Sequence, residues 1–254
     1  MSAAPAADRD AASPASGWKG AGCYTALLVF ALTTACTVLA FPPYHLPELA
    51  YVFALPASLW AYRRPAFRLF AGTVLGSQAV AWTIILDWLH HVSWGGLFLL
   101  GPFLGVWHGI WFLAIWWLLP RLPGRPVLVR LAAILGLAGG WVVLEWTHTW
   151  LLGGFPWLPL AASQWQRVAV LQIAAYTGAG GVSFVLLVMN LGFAAWAHQL
   201  GFERTRDQTD GRLQLGRSRS PELITAMLLL VGCLIVHVRE AVGRAPYLVP
   251  DSKC

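Results

Sequence analysis

The sequence predicts an all-α protein: a polytopic transmembrane helical bundle of about seven spans, N-terminus cytoplasmic and C-terminus extracytoplasmic. Three observations carry this reading. Apolar residues make up 58% of the chain and charged residues only 11%, against about 25% charged in an ordinary soluble domain. The apolar residues fall in runs of roughly 17 to 25, the length that crosses a bilayer as helix. Lysine and arginine are distributed unevenly between alternate connections.

The first 20 residues, rich in Ala, Ser, Pro and Asp, read as a disordered cytoplasmic tail, since no apolar stretch with a cleavage site precedes the first span. The membrane domain runs over 21–240, with spans near 23–41, 47–62, 69–89, 95–119, 128–152, 168–199 and 221–238. The second is short and the sixth is long. Gly201 to Ser220 is the only sizeable polar connection and reads as a flexible cytoplasmic linker, and 241–254 reads as an extracytoplasmic tail. Inner segments then hold Arg9, Lys19, Arg63, Arg64, Arg68, Arg121, Arg125, Arg130, Arg204, Arg206, Arg212, Arg217 and Arg219, and outer ones only Arg167, Arg239, Arg244 and Lys253. Thirteen against four sets the orientation by the positive-inside rule. The same asymmetry accounts for the net charge of +6 without a nucleic-acid partner, because attraction to anionic inner-leaflet lipid suffices.

Gly101, Gly105 and Gly109 recur at four-residue spacing, with similar pairs at Gly72/Gly76 and Gly136/Gly140. Small residues on one helical face let backbones approach where no hydrophobic effect drives helices together. Cys23, Cys36, Cys233 and Cys254 are scattered and form no C-x-x-C pair, so they read as small apolar residues, except Cys254, which ends a tail expected to face an oxidising compartment but has no local His or acidic partner to activate it. No cofactor motif is present.

The chemistry-bearing stretch is Leu144 to Trp157, followed by Ser163-Gln164. Glu145 lies about two turns inside an apolar run, where an ionised carboxylate is costly unless it is paired. His148 at i+3 shares its face and is the nearest candidate partner. A structural role, with Glu145 holding the loop 152–166 through its amides, carries equal weight. Gly153, Gly154 and Pro156 then turn the backbone between the large aromatics Trp150, Phe155 and Trp157, and Ser163-Gln164 follows, a combination that lipid-facing helix does not need and that marks a place where something polar is handled at the membrane surface. No catalytic and no metal-ligating residue is assigned among them. Other polar residues at the outer ends are Tyr44, His45, Glu48, Asp87, His90, His91 and His237. Asp87 and His91 stand one α-helical turn apart, a spacing compatible with zinc, but no H-E-x-x-H signature accompanies them.

Glu145-Trp146, Trp150, Gly154-Phe155-Pro156-Trp157 and Ser163-Gln164, with Gly178 and Gly181-Val182-Ser183-Phe184 downstream, resemble the membrane domain of bacterial apolipoprotein N-acyltransferase. Phe41-Pro42-Pro43-Tyr44, Leu49-Ala50-Tyr51 and Trp82 ahead of Gly95-Gly96 fit that family in the same order, and the resemblance covers roughly residues 23 to 240. It implies transfer of an acyl chain from a membrane phospholipid to the amino group of a lipoprotein's diacylglyceryl-cysteine, at the outer face of the bacterial cytoplasmic (inner) membrane. His148 stands where family members commonly carry Arg, and Ala161-Ala162 replaces the usual G-Y before S-Q. The family's chemistry belongs to a nitrilase-like extracytoplasmic domain with a Glu-Lys-Cys triad, inserted after the seventh span. Where that domain is expected to begin this sequence reaches Cys254, with Lys253 beside it. The resemblance accordingly implies a domain that binds lipid or acyl chains, with catalysis supplied by a separate nitrilase-like subunit and with Glu145, His148, Trp150, Gly154, Phe155, Pro156, Trp157, Ser163 and Gln164 as the expected substrate-binding set, the aromatics offering flat surface to acyl chains and Ser163 and Gln164 hydrogen bonds to an ester or phosphate. The alternatives are a truncated product, a non-enzymatic lipid-binding or assembly factor, and a metal-dependent intramembrane enzyme built on the outer histidines.

Overall fold

A computed structural model describes residues 15–151, 158–210 and 220–244. Every regular element among them is helical, as expected where lipid leaves no water to satisfy an open backbone edge. The α-helices are α1 (Ala15–Ala40), α2 (Leu55–Tyr62), α3 (Phe67–Ile85), α4 (Trp94–Leu118), α5 (Val127–His148), α6 (Val168–Leu171), α7 (Ala174–Asp210) and α8 (Pro221–Arg244). α1 begins six residues inside the stretch expected as tail, and residues 1–14 and 245–254 lie outside the described ones.

Five helical stretches are long and apolar enough to cross a membrane: Gly22–Ala40, Trp94–Arg121, Val127–His148, Ala174–Gly201 and Pro221–Glu240. α3 is about 28 Å long by its rise, but it carries Arg68 in its first turn and buries Ser77 and Gln78, which dilutes its apolar character.

The second expected span, 47–62, is not one helix. It is a 3-10 turn over Pro47–Tyr51 followed by the eight-residue α2. Pro56 in the first turn of α2 cannot donate to a preceding helical turn and biases its predecessor away from helix. The polar groups exposed by this break are met from α7. The Ala54 N–H donates to Asn190 Oδ1 at 2.8 Å, and Asn190 Nδ2 donates to the Ala50 carbonyl at 2.7 Å.

The long sixth span is also divided. α6 ends at Leu171, and α7 is interrupted at Gly178, whose φ of 67° and ψ of −175° are open to glycine alone. α7 then runs on to Asp210, so the stretch expected as linker from Gly201 begins as helix.

The glycine ladder of α4 lies against α3. A Cβ at Gly105 would sit 2.4 Å from Ala79 Cα and from the Gln78 carbonyl oxygen, and one at Gly101 would sit 2.8 Å from Thr83 Cα. Gly72, Gly136 and Gly140 have nothing within 4 Å, so equal spacing in sequence does not mark an equal role.

Contacts define two ends of the bundle. At one, Tyr62 stacks on His198 with centroids 3.9 Å apart, Arg64 donates to the Pro120 carbonyl at 3.0 Å, and Arg130 pairs with Glu222. At the other, Phe41 packs on Trp82, Trp165 donates to His45 at 3.3 Å, and Tyr176 donates to Glu240 at 2.7 Å.

Candidate functional site

The candidate site lies at this second end, where α5 finishes. Trp141, Glu145 and His148 fall at i, i+4 and i+7 of α5 and all three are buried. Glu145 Oε1 accepts hydrogen bonds from Trp141 Nε1 at 2.7 Å and from the Leu160 N–H at 2.6 Å, and the carboxyl also bonds the Ser183 side chain. Ser183, from α7, accepts from the Ala161 N–H at 3.1 Å.

The reason lies in the turn these groups serve. Leu160–Gln164 is a 3-10 turn that starts after Pro159 and has no side-chain cap of its own, so its first N–H groups are orphans. Glu145 and Ser183 cap it from two other helices. The turn then secures its neighbours. Ser163 Oγ donates to the Leu160 carbonyl at 2.7 Å, and Gln164 Nε2 donates to the Pro47 carbonyl at 2.8 Å and to Ser163 Oγ at 3.0 Å. Outside this buried layer, Arg167 pairs with Glu48, and its hydrogen bonds hold the Glu48 carboxyl below the usual carboxylate range.

Of the residues expected from sequence, Glu145, His148, Ser163 and Gln164 are thus brought together, all buried. Trp150 is 56% exposed and lies 5.6 Å, ring to ring, from the equally outward Trp146. Gly154, Phe155, Pro156 and Trp157 lie outside the described residues. None of the hydrogen bonds to Glu145 comes from His148, which packs edge-on to the buried His108 at 5.4 Å. His108 in turn stacks on Trp82 at 4.5 Å. Trp141 and Ser183 had no place in the expected set. The signal for Trp141 was available, since it stands one turn before Glu145 and an indole N–H in an apolar run needs an acceptor.

His90 and His91 lie ring to ring at 3.9 Å. Asp87–His91 is a 3-10 turn, whose three-residue period sets His90 rather than His91 over Asp87, with His90 Nδ1 3.6 Å from Asp87 Oδ1. Among the described residues, no group of three or more His, Cys, Asp or Glu is placed to hold a metal ion.

The family model of the apolipoprotein N-acyltransferase N-terminal domain matches residues 33–192. An apolipoprotein N-acyltransferase of Chromobacterium violaceum is 31% identical over 180 residues, covering 67% of this chain and 33% of the relative. One from Geobacter metallireducens is 31% identical over 189 residues, covering 66% and 34%. One from Methylococcus capsulatus is 38% identical over 81 residues, covering 32% and 16%. The chain spans about a third of the length of the curated relatives it matches over most of its extent. With the matched region holding α2 to α5, the capped turn and Ser183, this chain belongs to the apolipoprotein N-acyltransferase family through its N-terminal domain.

Proposed function

We propose that this chain is a membrane domain that binds lipid or acyl chains for phospholipid-to-lipoprotein N-acyl transfer at the outer face of the bacterial cytoplasmic membrane. The observation that carries the reading is the capped turn. A buried carboxylate, a buried serine and a buried glutamine are all engaged in fixing one short segment, and the indoles of Trp146, Trp150 and Trp165, close to these residues in sequence, are exposed. Rigid support under an amphipathic aromatic surface suits the holding of an acyl chain at headgroup level. Trp150, with Gly154, Phe155, Pro156 and Trp157 on sequence grounds, forms the rim. Glu145, His148, Ser163 and Gln164 position it.

Acyl transfer needs a nucleophile, a base that activates it and donors for the oxyanion. In this reading those come from a nitrilase-like unit that meets the outer end of the bundle. The membrane domain contributes proximity, keeping the ester of the donor at the surface where that unit works. Membrane phospholipid and the lipoprotein acceptor are the partners that follow. The lipopeptide test is direct. The 254-residue chain should bind a synthetic diacylglyceryl-cysteine peptide in detergent, and Trp150→Ala and Trp157→Ala should each weaken that binding about tenfold, a loss near 1.4 kcal/mol. Unchanged binding in both variants puts the groove elsewhere. The same chain alone should show no acyl transfer, and turnover abolished by Cys254→Ala would locate the nucleophile in this chain instead.

The proposed orientation has the N-terminus inside and seven passages, the second of them the broken 47–62 segment. Two observations support it. Tyr62 meets His198 at the end where α4 finishes and α8 begins, so 47–62 leads from the outer end of α1 to the inner start of α3. That end also carries Arg63, Arg64, Arg68, Arg121, Arg125 and Arg130. A reporter fused after Lys253 should therefore be active only outside the cytoplasm and one fused at Asp210 only inside. The reverse pattern refutes the orientation.

A further inference from the structure

The end of the bundle where Tyr62 meets His198 holds a cavity of about 530 Å³, lined by none of the residues of the capped turn. Its size falls among pockets that take small ligands, about 300 to 1,000 Å³. Leu122, Ile134 and Ala195 give it an apolar wall, and Arg130, His198, Gln199 and Glu222 give it a polar end in which the Glu222 carboxylate is taken up by its own partners.

Arg130 is held for display. Its Nε donates to Glu222 Oε1 at 2.5 Å and its Nη2 pairs with the same oxygen, which leaves Nη1 without a partner among the described residues. Glu222 is only 2% exposed. Its second oxygen accepts from Ser220 Oγ at 2.8 Å and from Gln199 Nε2 at 3.3 Å, so the carboxylate is fixed from three sides. A guanidinium locked in this way keeps one edge for a planar or tetrahedral anion. Arg63, Arg64, Arg121 and Arg125 stand within two residues in sequence of the lining residues Tyr62, Leu122 and Gly124; all four are exposed, and among the described residues none has an acidic partner. Arg64 instead meets the Pro120 carbonyl and Arg121 lies over the Trp117 ring. An apolar cleft, one anchored guanidinium and exposed arginines beside the lining segments call for an amphiphile with a negative head.

We propose that this cavity binds one anionic phospholipid, its phosphate on Arg130 and these exposed arginines and its acyl chain against Leu122, Ile134 and Ala195. Basic pockets between helices recognise anionic headgroups by this combination. The volume admits a headgroup and part of one chain, with the rest left in the bilayer. The site is separate from the outer groove, and only its assignment to the inner leaflet rests on the orientation proposed above.

The test is native mass spectrometry of the chain in detergent with equal amounts of phosphatidylglycerol and phosphatidylcholine, an arrangement without leaflets and so independent of orientation. One phosphatidylglycerol should be retained in preference to phosphatidylcholine. Ala195→Phe, which fills the cavity, should abolish the preference. The double variant Arg121→Gln/Arg125→Gln should weaken retention about fivefold for each arginine removed. Equal retention of the two lipids by the unaltered chain overturns the proposal, as does undiminished preference in the double variant, which leaves the core intact and decides the matter if Ala195→Phe is not monodisperse. Displacement of the lipid by inorganic phosphate with a phosphate adduct in its place also overturns it, because the site would then be one for a free anion.

Discussion

Gly105→Ala is expected to destabilise the bundle by about 3 kcal/mol, the upper end of what overpacking costs in a well-packed interior. The added Cβ would lie 2.4 Å from Ala79 Cα and the Gln78 carbonyl oxygen and 2.5 Å from the Ala79 nitrogen. All three are backbone atoms of α3, which cannot swing aside as a side chain can, so α3 and α4 must separate. Close backbone approach is what replaces the hydrophobic effect between helices in lipid, and separation forfeits it along the whole pair. Gly109→Ala should be milder, near 1 kcal/mol, since its nearest neighbour at 2.8 Å is the Leu75 Cδ2 methyl, the free end of a side chain. Gly136→Ala and Gly140→Ala, which meet nothing within 4 Å, should be neutral or stabilise α5 by about 0.5 to 1 kcal/mol through helix propensity. The midpoint of an SDS titration read by circular dichroism gives the order. Equal effects at Gly105 and Gly136 would mean that the α3–α4 approach is not what these glycines serve.

That contrast shows where the sequence can be read and where it cannot. Long apolar runs locate helices well. The span expected at 95–119 is α4, Trp94–Leu118, and the one expected at 128–152 is α5, Val127–His148, short of its expected end by one turn. Spacing alone cannot separate Gly101/Gly105 from Gly136/Gly140, because it records which face a glycine occupies and not whether another helix lies on that face. The break after Tyr51 was hidden for a similar reason. Its unsatisfied groups are met by Asn190, 136 residues from Ala54, and a break that distant atoms repair leaves only prolines as its local mark. At the candidate site, Glu145 was legible as a buried carboxylate in need of partners, and both its pairing with His148 and its hold on the following loop were open. The second is what its hydrogen bonds record. Helical proximity favours His148, but an orphan amide delivered by a turn is the stronger claimant for a buried carboxylate.

The largest effect expected at the site follows from that geometry. Glu145→Ala removes the acceptor of the Trp141 and Leu160 N–H groups and a partner of Ser183 in one step. Each buried donor left unmet costs about 1 to 3 kcal/mol. A total of about 3 to 5 kcal/mol is expected if the turn stays in place, and less if Leu160–Gln164 loosens to let water reach the freed donors. Glu145→Gln should cost only about 1 kcal/mol, because its amide oxygen can accept the same two bonds and only their charge-assisted strength is lost. Hydrogen exchange read at Leu160 and Ala161 separates a positioning role from direct contact with substrate. If Glu145 positions the rim, exchange at these amides and loss of lipopeptide binding rise together, strongly in Glu145→Ala and weakly in Glu145→Gln. If Glu145 touches the substrate, Glu145→Gln weakens binding while the amides stay protected. Glu145→Ala with unchanged protection at Leu160 would remove the cap itself, and with it the frame on which the proposed acyl-binding rim stands.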